Sequence, residues 1–122
     1  MYQPFKFALL AAALVSVQAS PLVARVDGNV KFCVDILGLG NCQVDAFNNG
    51  DCFDFLTSAK DFNDKVSTFQ PDIGVTCTVF QDSGCSGNSL ALSFPGSTDL
   101  RVQNFNDIMS SFRCDRWTFG LC

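Results

Sequence analysis

The stretch FNDKVSTF (residues 62–69) returns 43 positions later as FNDIMSSF (residues 105–112), and the two octapeptides agree at five of eight positions. They share an Asn-Asp pair, a Ser three residues after the Asp, and the flanking Phe residues. A repeat at such an interval is typical of one supersecondary unit used twice, since neither copy can bury its apolar face alone. The chain is therefore predicted to fold as two similar halves, each carrying this loop.

The same interval relates Cys42 to Cys85, and each of these follows a Gly-containing stretch. This alignment predicts that Cys77 faces the core and that Cys33 lies one residue out of phase. A shift of one residue in a strand moves a side chain to the opposite face. Cys33 and Cys77 are thus not equivalent, and the disulfides need not repeat with the fold.

The N-terminus predicts a secretory signal peptide over residues 1–20. Lys6, an apolar run over residues 7–17 and the small-x-small end Val17-Gln18-Ala19 match the pattern that signal peptidase cleaves. An uncleaved anchor is the alternative, but the run is shorter than the ~20 residues that span a bilayer. We expect a secreted, extracellular protein with an N-terminal lead at 21–28 and one domain at 29–122, divided into halves at 29–72 and 73–122.

Composition favours β structure and excludes several partners. The chain carries 8 basic and 12 acidic residues and no His, and every acid is Asp. A negative surface argues against binding to nucleic acid or insertion into anionic membranes, which Lys and Arg mediate. Asp and Asn favour turns over helix interiors, and the 13 Phe residues favour strands.

Seven cysteines indicate a disulfide framework, as expected of a small secreted domain. Zinc binding is the rival interpretation, but the chain has no His and no C-x-x-C pair. The odd count leaves one cysteine over, which either stays free or links two chains in a disulfide-bonded dimer. Cys122 at the terminus is the easiest candidate, and the sequence does not choose among the connectivities.

Short alternating runs separated by Gly, Asn and Pro turns predict eight strands, four in each half, arranged as an all-β sandwich of two Greek keys. Little helix is expected, with one helical turn allowed over residues 99–109. CFDFL (52–56) is predicted as a strand. The apolar side chains predicted to face inward are Val30, Phe32, Val34, Ile36, Phe53, Phe55, Leu90, Leu92 and Phe94.

The two halves and the pattern N/D-N/D-x-x-S/T-S resemble the βγ-crystallin superfamily. Residues 106–111 fit the pattern fully, and residues 63–68 depart only at the last position, which is Thr68. The stretch FQDSGCSGNS (80–89) is similar to that family's first hairpin, with Cys85 where an aromatic residue is usual. The resemblance covers about residues 29–117 and implies one disulfide-stabilised βγ-crystallin-like sandwich.

The resemblance also implies Ca²⁺ as a cofactor, since loops rich in oxygen donors are what Ca²⁺ binds. One site would take Asp64 and Ser67 with help from Asp82. The other would take Asp107 and Ser110 with help from the hairpin at residues 35–38. In the alternative interpretation the same side chains only hydrogen-bond backbone amides and hold the turns. Affinity is expected in the range of extracellular modules, about 10⁻⁴–10⁻³ M.

Catalysis is not expected. Without His, neither a Ser-His-Asp nor a Cys-His device can be assembled, and the scattered Asp residues give no specific acid–base pair. Two non-enzymatic functions remain: a structural or stress-protective extracellular module, and an effector or killer-toxin-like protein acting on another cell through a protein or cell-surface target. Trp117 and Phe119 are expected as a core plug, with an exposed aromatic contact as the alternative.

Overall fold

Seven strands form two antiparallel sheets in the computed structural model, which describes residues 26–117. The predicted signal peptide, Phe119 and Cys122 lie outside these residues. No helix in the described part of the chain is long and apolar enough to cross a membrane. The strands are β1 (Gly28–Cys33), β2 (Cys42–Phe47), β3 (Cys52–Asp54), β4 (Thr68–Pro71), β5 (Val75–Asp82), β6 (Ser86–Ser93) and β7 (Ser111–Arg116).

The two halves exchange strands. One sheet has the order β2-β1-β4 and the other has the order β3-β7-β5-β6. Strand β3 of the first half therefore pairs with β7 of the second, while Ser97 of the second half forms a bridge with Phe69 of the first. This reciprocal crossing confirms the predicted all-β sandwich of two Greek-key halves.

The core between the sheets is built mainly from Phe. Phe32 is fully buried, and its ring packs edge-on against Phe55 and Phe62 with centroids 5.1 Å and 5.0 Å apart. Phe69 and Phe112, the last residues of the two repeated octapeptides, meet in the same cluster at 5.1 Å. Edge-to-face pairs of this kind add to the stabilisation that comes from burial of the rings. The octapeptides thus anchor both halves in one core.

Three disulfides pair the six described cysteines: Cys33–Cys42, Cys52–Cys85 and Cys77–Cys114. The first and third each lie within one half, and Cys52–Cys85 joins the two halves. The disulfides do not repeat between the two halves, as the sequence allowed. A disulfide framework is typical of proteins that fold in an oxidising compartment.

The prediction of eight strands is wrong by one. At the place of the missing strand the second half has only the Phe69–Ser97 bridge. Gly96, directly before the bridge, has a φ of 81°, which lies outside the strand region, so the pairing does not extend beyond Ser97 on that side. Seven strands are therefore formed in the described residues.

The prediction that Phe53 and Phe55 share one strand face is also wrong. Strand β3 ends at Asp54, whose carboxylate accepts a hydrogen bond from the Leu56 amide at 3.0 Å and caps a one-turn helix, α1 (Phe55–Ser58). Asp is a favoured N-cap residue because it satisfies an amide that has no partner within the helix. At residues 99–104 the chain forms consecutive turns, closed by backbone hydrogen bonds from Val102 to Asp99, Gln103 to Leu100 and Asn104 to Arg101, which agrees with the helical turn allowed at 99–109.

Other predicted inward positions are partly wrong. Val30 and Phe32 are buried as expected, and Leu92 is 7% exposed. Phe94 is 52% exposed, because β6 ends at Ser93 and the chain turns away after it. Trp117 is 60% exposed, so it is not the predicted core plug.

The alignment of Cys42 with Cys85 is wrong, because the hairpins repeat at a different interval from the loops. Asp35 and Gly40 stand in the first hairpin where Asp82 and Gly87 stand in the second, and a Cβ on either glycine would meet the Asp side chain of its own hairpin. Cys85 therefore corresponds to Gly38. The inferred phase difference itself holds: Cys77 belongs to the core cluster, whereas Cys33 is buried but follows the core residue Phe32 in β1 and so lies on the opposite face.

Candidate metal site

The two Asn-Asp loops lie side by side and hold each other in place. Asp64 and Asp107 adopt left-handed backbone conformations, with φ of 57° and 59°. Asp is one of the few non-Gly residues that tolerate this region. The Asp64 amide donates to the carbonyl of Met109 at 3.0 Å, and the Asp107 amide donates to the carbonyl of Val66 at 3.1 Å. Each loop thus closes on the backbone of the other.

The serine hydroxyls also cross between the loops. Ser67 Oγ donates to Asp107 Oδ1 at 3.2 Å, and Ser110 Oγ donates to Asp64 Oδ1 at 3.1 Å. Both serines are buried, at 5% and 7% exposure. The hydrogen bonds thus join residues of different loops, whereas the sequence grouped Asp64 with Ser67 and Asp107 with Ser110 as calcium ligands. The loops pack antiparallel, so the Ser of one loop reaches the Asp of the other.

The last motif position has a role that the sequence did not reveal. Thr68 Oγ1 accepts a hydrogen bond from the Gly38 amide at 3.0 Å and donates to the carbonyl of Asp35 at 2.8 Å. Ser111 Oγ accepts from the Cys85 amide at 2.9 Å and donates to the carbonyl of Asp82. Each hydroxyl thus makes two hydrogen bonds to the backbone of the hairpin in its own half. The equal Asp-to-Gly spacing of the two hairpins was the signal that could have identified this contact.

An open cleft of ≈ 460 Å³ lies where the crossed loops meet the second hairpin. It brings together four of the five predicted site residues, and Ser67 is tied to it through Asp107. The residues that line the cleft are Leu56, Asn63, Asp64, Gln81, Asp82, Ser83, Asp107, Ile108 and Ser110. Leu56 belongs to α1 and, with Asn63, Gln81, Ser83 and Ile108, was not predicted.

The donors of the cleft fit a hard cation. Carboxylate, hydroxyl and backbone carbonyl oxygens are the ligands that Ca²⁺ takes. In residues 26–117 no three Asp, Glu, His or Cys side chains converge to hold an ion, so a cation here would need hydroxyl and carbonyl oxygens beside one or two carboxylates. Asn63 Oδ1 is buried and accepts no hydrogen bond. An unsatisfied buried oxygen of this kind is a place where a water or an ion supplies the partner.

The charge of the cleft is negative. Asp64, Asp82 and Asp107 line it, and no Lys or Arg does. Within the described residues the one ion pair joins Arg101 to Asp99 at 2.8 Å, outside the cleft. There the hydrogen bond from the Arg101 side chain holds the pKa of Asp99 below its ordinary value. The carboxylates of the cleft thus carry no such neutralising partner, which favours a cation.

The fold is that of solved βγ-crystallin domains. A domain from work on the evolution of the eye-lens βγ-crystallin fold matches with a TM-score of 0.66 and 23% identity, over 84% of this chain and 96% of that one. A domain from Flavobacterium johnsoniae matches with a TM-score of 0.60 and 21% identity, over 76% and 98%. A βγ-crystallin from Ciona intestinalis matches with a TM-score of 0.58 and 26% identity, over 72% and 100%. No family model and no curated protein matches the sequence.

Proposed function

Because the chain has the fold of the βγ-crystallin superfamily, we propose that it is a secreted, non-enzymatic module that binds Ca²⁺ in the cleft and has a structural, stress-protective role outside the cell. The single observation that carries the proposal is the pairing of Ser110 with Asp64 at the edge of a negative cleft that also contains Asp82. When bound there, Ca²⁺ would supply the positive charge that this group of oxygens lacks.

The chain's own residues have distinct roles in this proposal. Asp64 and Ser110 present oxygens from opposite loops, so an ion held by both would join the two halves. Asp82 adds a carboxylate from the second hairpin. In the first hairpin Val34 and Ile36 stand where Gln81 and Ser83 line the cleft, so Asp35 alone keeps a side-chain oxygen there. We therefore assign the primary site to the cleft and regard Ser67 with Asp107 as the weaker position.

Four further observations support the extracellular, non-enzymatic part of the proposal. The disulfides require an oxidising compartment, and residues 1–20 have the pattern of a signal peptide. The absence of His removes the commonest acid–base and nucleophile-activating side chain. The βγ-crystallin fold is in general not an enzyme fold.

The test is a calcium titration of the oxidised protein that follows its melting temperature. At a Ca²⁺ concentration ~100 times Kd, binding stabilises the folded state by about 2.7 kcal/mol. For a domain of this size the melting temperature then rises by about 10–20 °C. Ser110→Ala should remove most of the rise, whereas Ser58→Ala, an exposed serine in α1, should keep it. No rise at about 10–100 mM Ca²⁺, which is ~100 times the expected Kd, would leave the loops with only their hydrogen-bonding role.

A second function, that of an effector with a protein target, is favoured by one surface. Ile73, Phe94 and Trp117 are 69%, 52% and 60% exposed, and they border two neighbouring grooves beside Arg116. Trp and Arg are enriched among the residues that dominate protein interfaces. Growth or host-response assays with the purified protein distinguish this function from a purely structural one, since only an effector changes the treated cells.

A further inference from the structure

The edges of the two sheets differ sharply in how they are protected. An edge strand presents unpaired N–H and C=O groups, and proteins guard such edges with charges, Pro or very short strands. Strand β3 has three residues, β2 carries Asp45, and β4 ends in Pro71 and is bridged by Ser97. Strand β6 has eight residues with neither charge nor Pro. The uncharged stretch extends over residues 83–98.

The register identifies the backbone groups that face outward from β6. The Phe94 amide donates to the carbonyl of Val75, so Leu92 and Leu90 are the residues that hydrogen-bond to β5. Bonding alternates along an antiparallel strand, and the N–H groups of Ser89, Ala91 and Ser93 therefore point away from the sheet. The described residues provide no hydrogen-bond partner for these three amides.

The side chains of β6 suit a partner strand of the same sequence. Ser89, Ala91 and Ser93 are small and exposed, so another backbone can approach them. Leu90 is only half-buried beside the buried Leu92. If two copies pair antiparallel with Ala91 opposite Ala91, Leu90 of each copy lies beside Leu92 of the other and gains apolar cover.

The charge distribution favours a second copy of the chain as the partner of the β6 edge. The chain has a net charge of −4, so two copies repel each other on average and an uncharged surface is the one that opposes contact least. Pairing of two β2 edges in the same way would bring Asp45 close to its own copy. The β6 edge carries no charge, and a two-fold axis makes identical strands self-complementary. We propose that β6 pairs with β6 of a second copy, which gives a dimer with one continuous eight-stranded sheet.

The test compares two proline variants at matched outward-facing edge positions. Pro is tolerated on an edge strand where the N–H faces solvent, so Ala91→Pro removes only the donor needed for pairing. The register of β1 with β2 leaves the Ala46 amide facing outward on the β2 edge, and Ala46→Pro is the control. Both are made in the full chain carrying Cys122→Ser, which excludes a disulfide-linked dimer.

Sedimentation from micromolar to millimolar concentration should show a dimer for the Cys122→Ser protein. Ala91→Pro should raise the dimer dissociation constant at least about tenfold, because the two copies together lose two hydrogen bonds, and Ala46→Pro should not change it. A monomer throughout, or equal effects of both prolines, would overturn the proposal. If Ala91→Pro unfolds the protein, Ala91→Lys is compared with Ala46→Lys. Ala91→Lys should raise the dimer dissociation constant, because it places two like charges opposite each other in the β6 pair, and Ala46→Lys should not change it. Calcium binding stays measurable in every variant, so the two proposals fail separately.

Discussion

The hydrogen bonds that cross between the two loops predict which Asp and Ser side chains are energetically coupled. In the structure Ser110 hydrogen-bonds Asp64, and Ser67 hydrogen-bonds Asp107. A double-mutant cycle on the calcium-free protein should therefore find coupling between Asp64 and Ser110 and none between Asp64 and Ser67. We would change Asp to Asn and Ser to Ala. Asn keeps the left-handed backbone conformation that positions 64 and 107 require.

The expected magnitude follows from the two hydrogen bonds. A hydrogen bond to a charged group contributes about 1.5–3 kcal/mol and a neutral one about 1 kcal/mol. Because Asp64 is exposed, solvent screening reduces the difference, and we expect about 0.5–1 kcal/mol of coupling with Ser110. The free-energy changes of two mutations at sites that do not interact add within about 0.3–0.5 kcal/mol. A coupling energy near ~1 kcal/mol clearly exceeds this deviation from additivity. The equivalent cycle on Asp107 and Ser67 serves as a replicate.

The assay is equilibrium unfolding in urea with a calcium chelator present, with the free energy of unfolding compared at constant m-value. Asp64→Asn with Ser110→Ala should destabilise by less than the sum of the single changes. Asp64→Asn with Ser67→Ala should give the sum. Coupling of Asp64 to Ser67 in place of Ser110 would refute the crossed geometry, and the assignment of the cleft residues would fail with it.

Two further predictions concern stability. Replacing Cys52 and Cys85 by Ser should lower the free energy of unfolding by about 3–4 kcal/mol, since this disulfide closes a 33-residue separation between the halves; urea unfolding that matches the wild type would contradict this. Gly87→Ala should destabilise more than Gly50→Ala in thermal melts. Both glycines have positive φ, but only at Gly87 would the new Cβ meet Asp82. Equal losses would show that backbone conformation alone sets the cost.

Sequence reasoning predicted the features that depend on local pattern. Alternation along β1 identified Val30 and Phe32 as core residues, and the repeated octapeptide identified the two loops. Both signals are local. The side chains of a strand alternate between its two faces, and the polar residues of each loop fall within six consecutive positions. The resemblance of the second hairpin to that of the βγ-crystallin superfamily implied Asp82 as a further ligand, and the structure has Asp82 and Asp64 in the lining of one cleft.

What failed depends on contacts between distant parts of the chain. Which Ser faces Asp64 is set by the antiparallel packing of two loops 43 residues apart, and no spacing within either loop reveals it. The strand predicted through Phe55 failed because Asp54 caps a helix, and a short apolar run fits either structure. Phe94 was expected in the core because the alternation of apolar residues at 90 and 92 continues through it. Strand β6 ends one residue earlier, at Ser93.

The two halves are not equal copies, and the difference explains why one cleft forms. The loops repeat at an interval of 43 residues and the hairpins at 47, so the first half has four more residues between its hairpin and its loop. Those residues lie in the segment that forms α1, a helix of four residues whose Leu56 lines the cleft. No helix occupies the corresponding segment of the second half in the described structure. The duplicated loops supply oxygens on both sides, and the cleft of ≈ 460 Å³ lies on the side closed by α1 and the Asp82 hairpin.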